Sequence, residues 1–281
     1  VQEYASLGAP YLAEVPTTPL RTEVSLVHLN TALANEVGLN AEELNQAQGI
    51  DVLSGNTPFP GYESRASVYC GHQFGQFVPQ LGDGRALLIA EIRKGKQYRQ
   101  LQLKGAGPTP YSRHADGRAV LRSSIREYLA SEAMHALGIP TTRALSLTAS
   151  VDPVFRETTE TAAVVCRVSE SFMRFGHVEF FCYTNQLDAL RNLLSWHIEQ
   201  HHPEIDLGDT EASFQTGLLQ WLGVVITRTA RMAAQWQAVG FCHGVMNTDN
   251  MSLLGLTIDY GPYGFMDGFD IDHICNHSDH Q

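Results

Sequence analysis

The spacing of apolar residues divides this chain into a strand-like part, reaching to about residue 168, and a helical part beyond it. In YRQLQLKG (98–105), Leu101 and Leu103 alternate with Gln100, Gln102 and Lys104, the period of a half-buried antiparallel strand. RALLIAEIR (85–93) precedes it, and Lys94-Gly95-Lys96-Gln97 separates the two runs, so the pair reads as a hairpin. From Asp116 the period changes. Leu121, Ile125, Leu129 and Ala133 recur every fourth residue, flanked by Tyr128 and Met134, which predicts an amphipathic helix stopped at Gly138-Ile139-Pro140. Two further strands are expected in ALSLTAS (144–150) and TAAVVCRV (161–168), then helices in LDALRNLLSWHIEQ (187–200) and SFQTGLLQWLGVVITRTARMAAQWQAVG (213–240). Before residue 67 the chain is broken by Pro and Asn, with one helix expected over 41–47 and turns at Gly55-Asn56 and Pro58-Phe59-Pro60.

Strands followed by helices predict an α+β protein of two lobes with a cleft between them. The division expected is an N-terminal extension over 1–66 packing on the lobes, a strand-rich lobe over 67–168 and a helical lobe over 169–281, with SESFMRFGHVEF (169–180) as hinge.

Composition narrows the function. At 281 residues, 43% hydrophobic and 17% charged, the chain suits a folded soluble protein with a sizeable core. A net charge of −11 argues against sequence-independent nucleic-acid binding, so any positive charge meeting a phosphate must be local. No run of 18 apolar residues predicts a membrane span, and VQEYASLGAPYLAEVP has neither the basic start nor the apolar core of a signal peptide. Five cysteines without a CxxC favour reduced thiols in the cytoplasm. His197 and His201 stand i, i+4, and His273, His277 and His280 crowd the tail, but without an HExxH or a cysteine pair they read as surface histidines.

The chemistry concentrates in HGVMNTDNMSLLGLTIDYG (243–261). His-Gly, an Asn seven residues after the His, and an apolar run ending in Ile-Asp-Tyr-Gly form the layout of kinase-like folds. Those folds carry a catalytic Asp two residues after the His. Here that position is Val245, and Asp249 stands further on. Asn250 and Asp259 offer an amide oxygen and a carboxylate, hard donors suited to Mg²⁺, and a tight hairpin of the intervening apolar run would bring them together; the alternative makes both simple turn residues. Lys104 on its strand and Glu127 in the next helix match the kinase lysine and its orienting glutamate, against the alternative of two solvated surface charges. Gly82 and Gly84 in QLGDGRA can bring backbone N–H groups to phosphate, or mark a plain turn. Asp116, before the long helix, reads equally as its N-cap. Arg167 and Arg174 bracket the hinge and can clamp phosphate.

Three stretches, YCGHQFGQFVPQLGDGRA, QLKGAGPTPYSRHADGRAVLRSSIREYLASEAMHALGIPTTRALSL and HGVMNTDNMSLLGLTIDYGPYGFMD, closely resemble the selenoprotein O family of protein adenylyltransferases. The resemblance covers most of residues 60–274. It implies a protein-kinase-like fold, a pseudokinase by its missing Asp, that holds ATP in flipped orientation, moves AMP to Ser, Thr or Tyr hydroxyls of proteins and releases pyrophosphate. By similarity, Lys104 contacts phosphates and pairs with Glu127, and Arg167 and Arg174 hold the buried phosphate end. Gly82, Gly84, Arg85, Asp116, Gly117 and Asp259 line the nucleotide pocket, Asp249 is the active-site acid/base, and Asn250 and Asp259 carry Mg²⁺ or Mn²⁺. The resemblance also implies a helical lobe continuing past Gln281, and redox control in which Cys275 pairs with a cysteine outside this chain.

Two other readings remain open on the residues. One is a non-catalytic, nucleotide-binding regulatory module; the other is a small-molecule kinase, for which an Asp at the position of Val245 is expected.

Overall fold

The computed structural model describes residues 3–276. In chain order the elements are β1 (Leu12–Glu14), β2 (Val24–Leu29), α1 (Thr31–Val37), α2 (Ala41–Leu44), α3 (Ala47–Ser54), β3 (Arg65–Ser67), β4 (Gly71–Gln73), β5 (Gln76–Val78), β6 (Ala86–Lys94) and β7 (Gln97–Lys104). Then follow β8 (Ala119–Val120), α4 (Leu121–Ala136), β9 (Arg143–Phe155), β10 (Thr159–Ser169), α5 (Phe175–Tyr183), α6 (Leu187–His201), α7 (Glu211–Ala238), β11 (Phe241–Cys242) and β12 (Gly264–Phe265). The protein is α+β, as its periodicities predict, and divides into two compact units: residues 11–68 with 80–172, and residues 1–10 with 69–79 and 173–281.

The first unit is built on an antiparallel sheet of order β1-β3-β6-β7-β10-β9-β2, with β8 pairing β10. The predicted hairpin is present as β6–β7, joined through Lys94 and Gln97. Alternation sorts its side chains. Leu101 and Leu103 join a core of Leu87, Val164, Cys166 and Val168 together with Leu33 and Leu53 of α1 and α3. Gln100, Gln102 and Lys104 fall on the opposite face. That face is not solvated as a half-buried strand requires: Gln100 and Gln102 are each 1% exposed.

Gln100 accepts from Phe172 N at 3.0 Å and Gln102 from Arg167, and α4 lies on the neighbouring β9 and β10. It does so with a face the sequence does not announce. Ser124, Glu127, Tyr128, Ser131 and Met134 are buried, whereas Ile125 and Leu129 of the apolar stripe are 37% and 62% exposed. The inward face is polar because the sheet surface beneath is polar and needs a counter-charge more than further apolar area.

The second unit carries α5, α6 and α7, the β11–β12 pair and the β4–β5 hairpin. Helices predicted over 187–200 and 213–240 appear as α6 and α7. α7 opens with a reciprocal cap between Thr210 and Ser213. The segment expected as a hinge is half helix, since α5 begins at Phe175 with Arg174 at its N-cap position. His197, at 0% exposed, corrects the surface reading of the α6 histidines; its aromatic neighbours are His201, His202 and Trp221. Among the described residues no group of three or more His, Cys, Asp or Glu is placed to hold a metal ion, and no helix is long and apolar enough to cross a membrane. His277 and His280 lie outside the described residues.

Candidate functional site

Two clusters hold the residues singled out by sequence, one in each unit. In the first, β7 and β10 run antiparallel with Gln102 opposite Arg167 and Lys104 opposite Val165. Lys104 Nζ lies 2.5 Å from Glu127 Oε2, and Arg167 Nη1 lies 3.2 Å from Glu127 Oε1. Arg167 Nη2 donates to Gln102 Oε1, and the guanidinium sits 5.3 Å over the Phe172 ring. Glu127 and Arg167 are buried, and the Lys104 side chain is 12% exposed. One carboxylate therefore compensates two cations away from water, and the solvated-surface alternative for this pair is ruled out.

The glycine loop is held by a residue the sequence reading passed over. Asp83, between Gly82 and Gly84, is buried and accepts hydrogen bonds from Ser67 N at 3.0 Å and Ser67 Oγ at 2.6 Å. Its carbonyl accepts from Thr109 Oγ1 at 2.7 Å. Gly82 has φ +110°, and a Cβ there would meet the Tyr111 ring at 2.6 Å. At Gly117 (φ +67°) a Cβ would stand 2.1 Å from the Gly107 carbonyl. Both glycines are thus required by backbone packing itself. Arg85 is exposed at the start of β6, and its carbonyl accepts from Gly105 N.

Asp116 is not the N-cap of α4, whose cap position is Val120. It accepts from Arg118 N at 2.9 Å and forms a two-pronged pair with Arg156 at 2.9 and 3.0 Å, and the Arg156 hydrogen bonds hold its carboxyl below the usual range.

In the second unit Asp249 and Asn250 lie on a single 3₁₀ turn, Thr248–Asn250. Arg174 Nη1 donates to the Asp249 carbonyl at 2.7 Å and to the Asp259 carboxylate, so one guanidinium joins the two acidic residues. The guanidinium also sits 4.9 Å over the Tyr69 ring. Asp259 occupies the left-handed region at φ +55°, a conformation that costs a non-glycine residue roughly 1–3 kcal/mol and is held by its surroundings. The run from Met251 to Ile258 turns at Ser252, whose carbonyl accepts from Gly255 N at 3.1 Å. It is also tied to the helices: Ser252 bridges Arg174, Phe175 N donates to the Met251 carbonyl, and Thr257 Oγ1 accepts from Trp236. Met251, Leu253, Leu254 and Ile258 are buried.

Asn250 Nδ2 donates to the Val245 carbonyl at 3.2 Å, which leaves its oxygen as the end suited to a cation. His243 sets Val245 by accepting its N–H at 3.4 Å on Nδ1 while Nε2 donates to the Ile258 carbonyl at 2.8 Å.

Asp249 is 7% exposed. Burial raises its carboxyl pKa, opposed by a hydrogen bond from Gln73 and by the Arg174 charge, and assisted by Asp259. Gln73 Nε2 donates to Oδ2 at 2.9 Å, whereas Oδ1 is buried with no hydrogen-bond partner among the described residues. A carboxylate whose pKa burial raises, with one bare oxygen, is equipped to take a proton.

Cys275 Sγ lies 2.8 Å from Cys242 Sγ, with all five cysteines free, so a thiol is within reach inside this chain.

A family model described as "Protein adenylyltransferase SelO" matches residues 1–281. A protein nucleotidyltransferase YdiU of Methylococcus capsulatus is 60% identical over 279 residues, covering 99% of this chain and 54% of that protein. The proteins of the same name from Bordetella petrii and Thiobacillus denitrificans are 56% and 52% identical over 278 residues, covering 98% of this chain and 56% and 55% of theirs. The chain spans about half the length of the curated relatives it matches.

Proposed function

The chain belongs to the SelO family of protein adenylyltransferases, and from that membership we propose that it transfers AMP from ATP to hydroxyl groups of proteins. The fold proposed is the two-lobed, protein-kinase-like one, with a lobe over 67–168, a lobe over 169–281 and an extension over 1–66. The observation that carries the reading is Asp249, a buried carboxylate with raised pKa and a bare Oδ1, in a chain that has Val245 where kinases carry their Asp.

In the proposed reaction the acceptor oxygen, from Ser, Thr or Tyr, attacks the α-phosphorus. A new O–P bond forms, the bond from the α-phosphorus to its bridging oxygen breaks, and pyrophosphate leaves. The hydroxyl proton passes to Asp249 Oδ1. ATP in flipped orientation, with its α-phosphate toward the acceptor, is part of this proposal. Lys104 and Arg167 neutralise phosphate charge, and Glu127 fixes both so that little reorganisation is needed. Arg174 contributes a further cation, while Gly82, Gly84, Arg85, Asp116 and Gly117 shape the nucleotide's surroundings.

The donor chemistry fits a hard divalent cation: an amide oxygen from Asn250 and a carboxylate from Asp259, with no thiolate or imidazole among them. Mg²⁺ and Mn²⁺ complete their shells with water and phosphate oxygens, which agrees with the small number of protein donors here. Bound there, the ion would neutralise phosphate charge.

The deciding experiment supplies ATP labelled on the α- or the γ-phosphate. Label reaching protein from the α-position, and lost in Asp249→Ala, is the expected result. Label entering only from the γ-position overturns the proposal in favour of an ordinary kinase. ATP-dependent thermal stabilisation without any AMP–protein product favours the non-catalytic regulatory pseudokinase.

A further inference from the structure

β4 and β5 form a hairpin whose two loop residues, Phe74 (φ +50°) and Gly75 (φ +76°), both lie in the left-handed region, as a type I′ turn requires. Glycine accepts that conformation freely, but phenylalanine does not. The turn is held from outside. Phe74 N donates to Asn247 Oδ1 at 3.1 Å, and His72 N donates to Thr248 Oγ1 at 2.8 Å. Thr248 Oγ1 in turn donates to Glu179 Oε2 at 2.6 Å, and the other oxygen of Glu179 meets His72 Nδ1 at 3.0 Å. Residues 72, 73 and 74 thus each grip one of the residues 247, 248 and 249. The middle contact is Gln73 to Asp249.

That contact determines what Asp249 can do. An ionised carboxylate only accepts, so the amide end facing it is the nitrogen. With Oδ2 occupied by Gln73, Oδ1 is the remaining acceptor, buried and bare. Gly71, two residues before Gln73, leaves the carboxylate the room it occupies: a Cβ there would lie 2.6 Å from Oδ1. The hairpin therefore fixes where the carboxylate sits and which oxygen is left to the acceptor.

We propose that Gln73 is a positioning residue for Asp249, holding Oδ2 so that Oδ1 receives the proton of the acceptor hydroxyl. This rests on the adenylyltransferase reading given above. Gln73 touches neither phosphate nor acceptor in this role; it acts through Asp249.

The test compares wild type with Gln73→Leu and Gln73→Glu, measuring kcat and KM for AMP transfer beside thermal melting. In Gln73→Leu, which removes the donor to Oδ2, kcat falls ~10- to 100-fold with KM for ATP held within about twofold. Gln73→Glu, which keeps the size of the side chain but sets a second carboxylate against the first, lowers kcat at least as far, as a change of packing alone would not. An active wild type whose kcat is unchanged in Gln73→Leu, or whose loss of kcat there is matched by an equal rise in KM for ATP, overturns the role of Gln73, even where the variant melts earlier. A wild type that transfers no AMP overturns the functional reading instead, and the two failures are told apart by the unsubstituted protein.

Discussion

Lys104 Nζ stands 2.5 Å from Glu127 Oε2, and the second oxygen of that carboxylate faces Arg167. Removing Glu127 therefore takes a carboxylate away from two cations at once. Breaking a buried ion pair from one side costs about 3–5 kcal/mol, because the remaining charge stays desolvated without compensation. Glu127→Ala is expected to lower the urea midpoint by a corresponding amount. Lys104→Met, which leaves Glu127 paired with Arg167, is expected to cost clearly less. Equal losses in the two variants would contradict the shared-carboxylate arrangement.

Acid weakens this protein through histidines held neutral. His177 Nδ1 accepts the Arg174 N–H at 3.0 Å, which a protonated ring cannot do, and burial with the Arg174 charge brings its pKa down to about 3. Burial also depresses His197, His202 and His243. Below the unfolded value of 6.5 the unfolded chain binds protons that the folded chain refuses. Stability is therefore greatest above pH 6.5 and declines as the pH drops, for His177 until about pH 3. The slope is about 1.4 kcal/mol per pH unit for each such histidine. Thermal melts from pH 7.5 to 5 check this, and His177→Asn, which keeps an acceptor but does not titrate, is expected to flatten the decline.

How much of this was readable beforehand depends on whether a residue's role is local. Lys104 declares itself by alternation, since Leu101 and Leu103 must enter a core and send Lys104 to the other face. α4 misleads for the opposite reason: its stripe at Ile125 and Leu129 is conspicuous in sequence, but Glu127 must face the cations of the sheet, and that requirement decides the rotation of the helix. β2 escapes because it is an edge strand with most side chains partly or fully exposed, so no apolar period marks it. The joining of Asp249 to Asp259 depends on Arg174, 75 and 85 residues away respectively, and no local pattern contains it. Gln73 was hidden likewise: its partner lies 176 residues on.

The thiols of Cys242 and Cys275 are 2.8 Å apart, and mild hydrogen peroxide is expected to join them. One thiolate attacks peroxide, breaking the O–O bond, releasing hydroxide and leaving a sulfenic acid; the second thiol displaces that hydroxyl as water. Burial and the neighbouring sulfur push the Cys275 thiol up to about 12, so little thiolate exists at neutral pH and the linkage forms faster as the solution is made alkaline. Non-reducing peptide mapping detects the Cys242–Cys275 crosslink. Oxidation confined to the exposed Cys182 would go against it.

Gly71 offers the sharpest test of how tightly Asp249 is enclosed. An alanine Cβ there would lie 2.6 Å from Asp249 Oδ1 and 2.9 Å from its Cβ, below any normal contact. Gly71 has no positive φ to preserve, so backbone strain does not enter and the clash acts alone. Asp249 cannot simply swing aside, because Gln73 holds Oδ2 and Arg174 holds the backbone carbonyl. The hairpin must shift or the carboxylate must turn, at a cost of about 1–3 kcal/mol for overpacking. Gly71→Ala is therefore expected to reduce AMP transfer far more than its modest loss of stability explains. Gly223, inside α7 with nothing within 4 Å of the place a methyl group would take, is the matched control. Gly223→Ala is expected to gain roughly 1 kcal/mol in urea unfolding from helix propensity alone and to leave transfer unchanged. Equal behaviour of the two alanines, in rate and in stability, would mean that the space around Asp249 is looser than its 7% exposure and its contacts with Gln73 and Gly71 require.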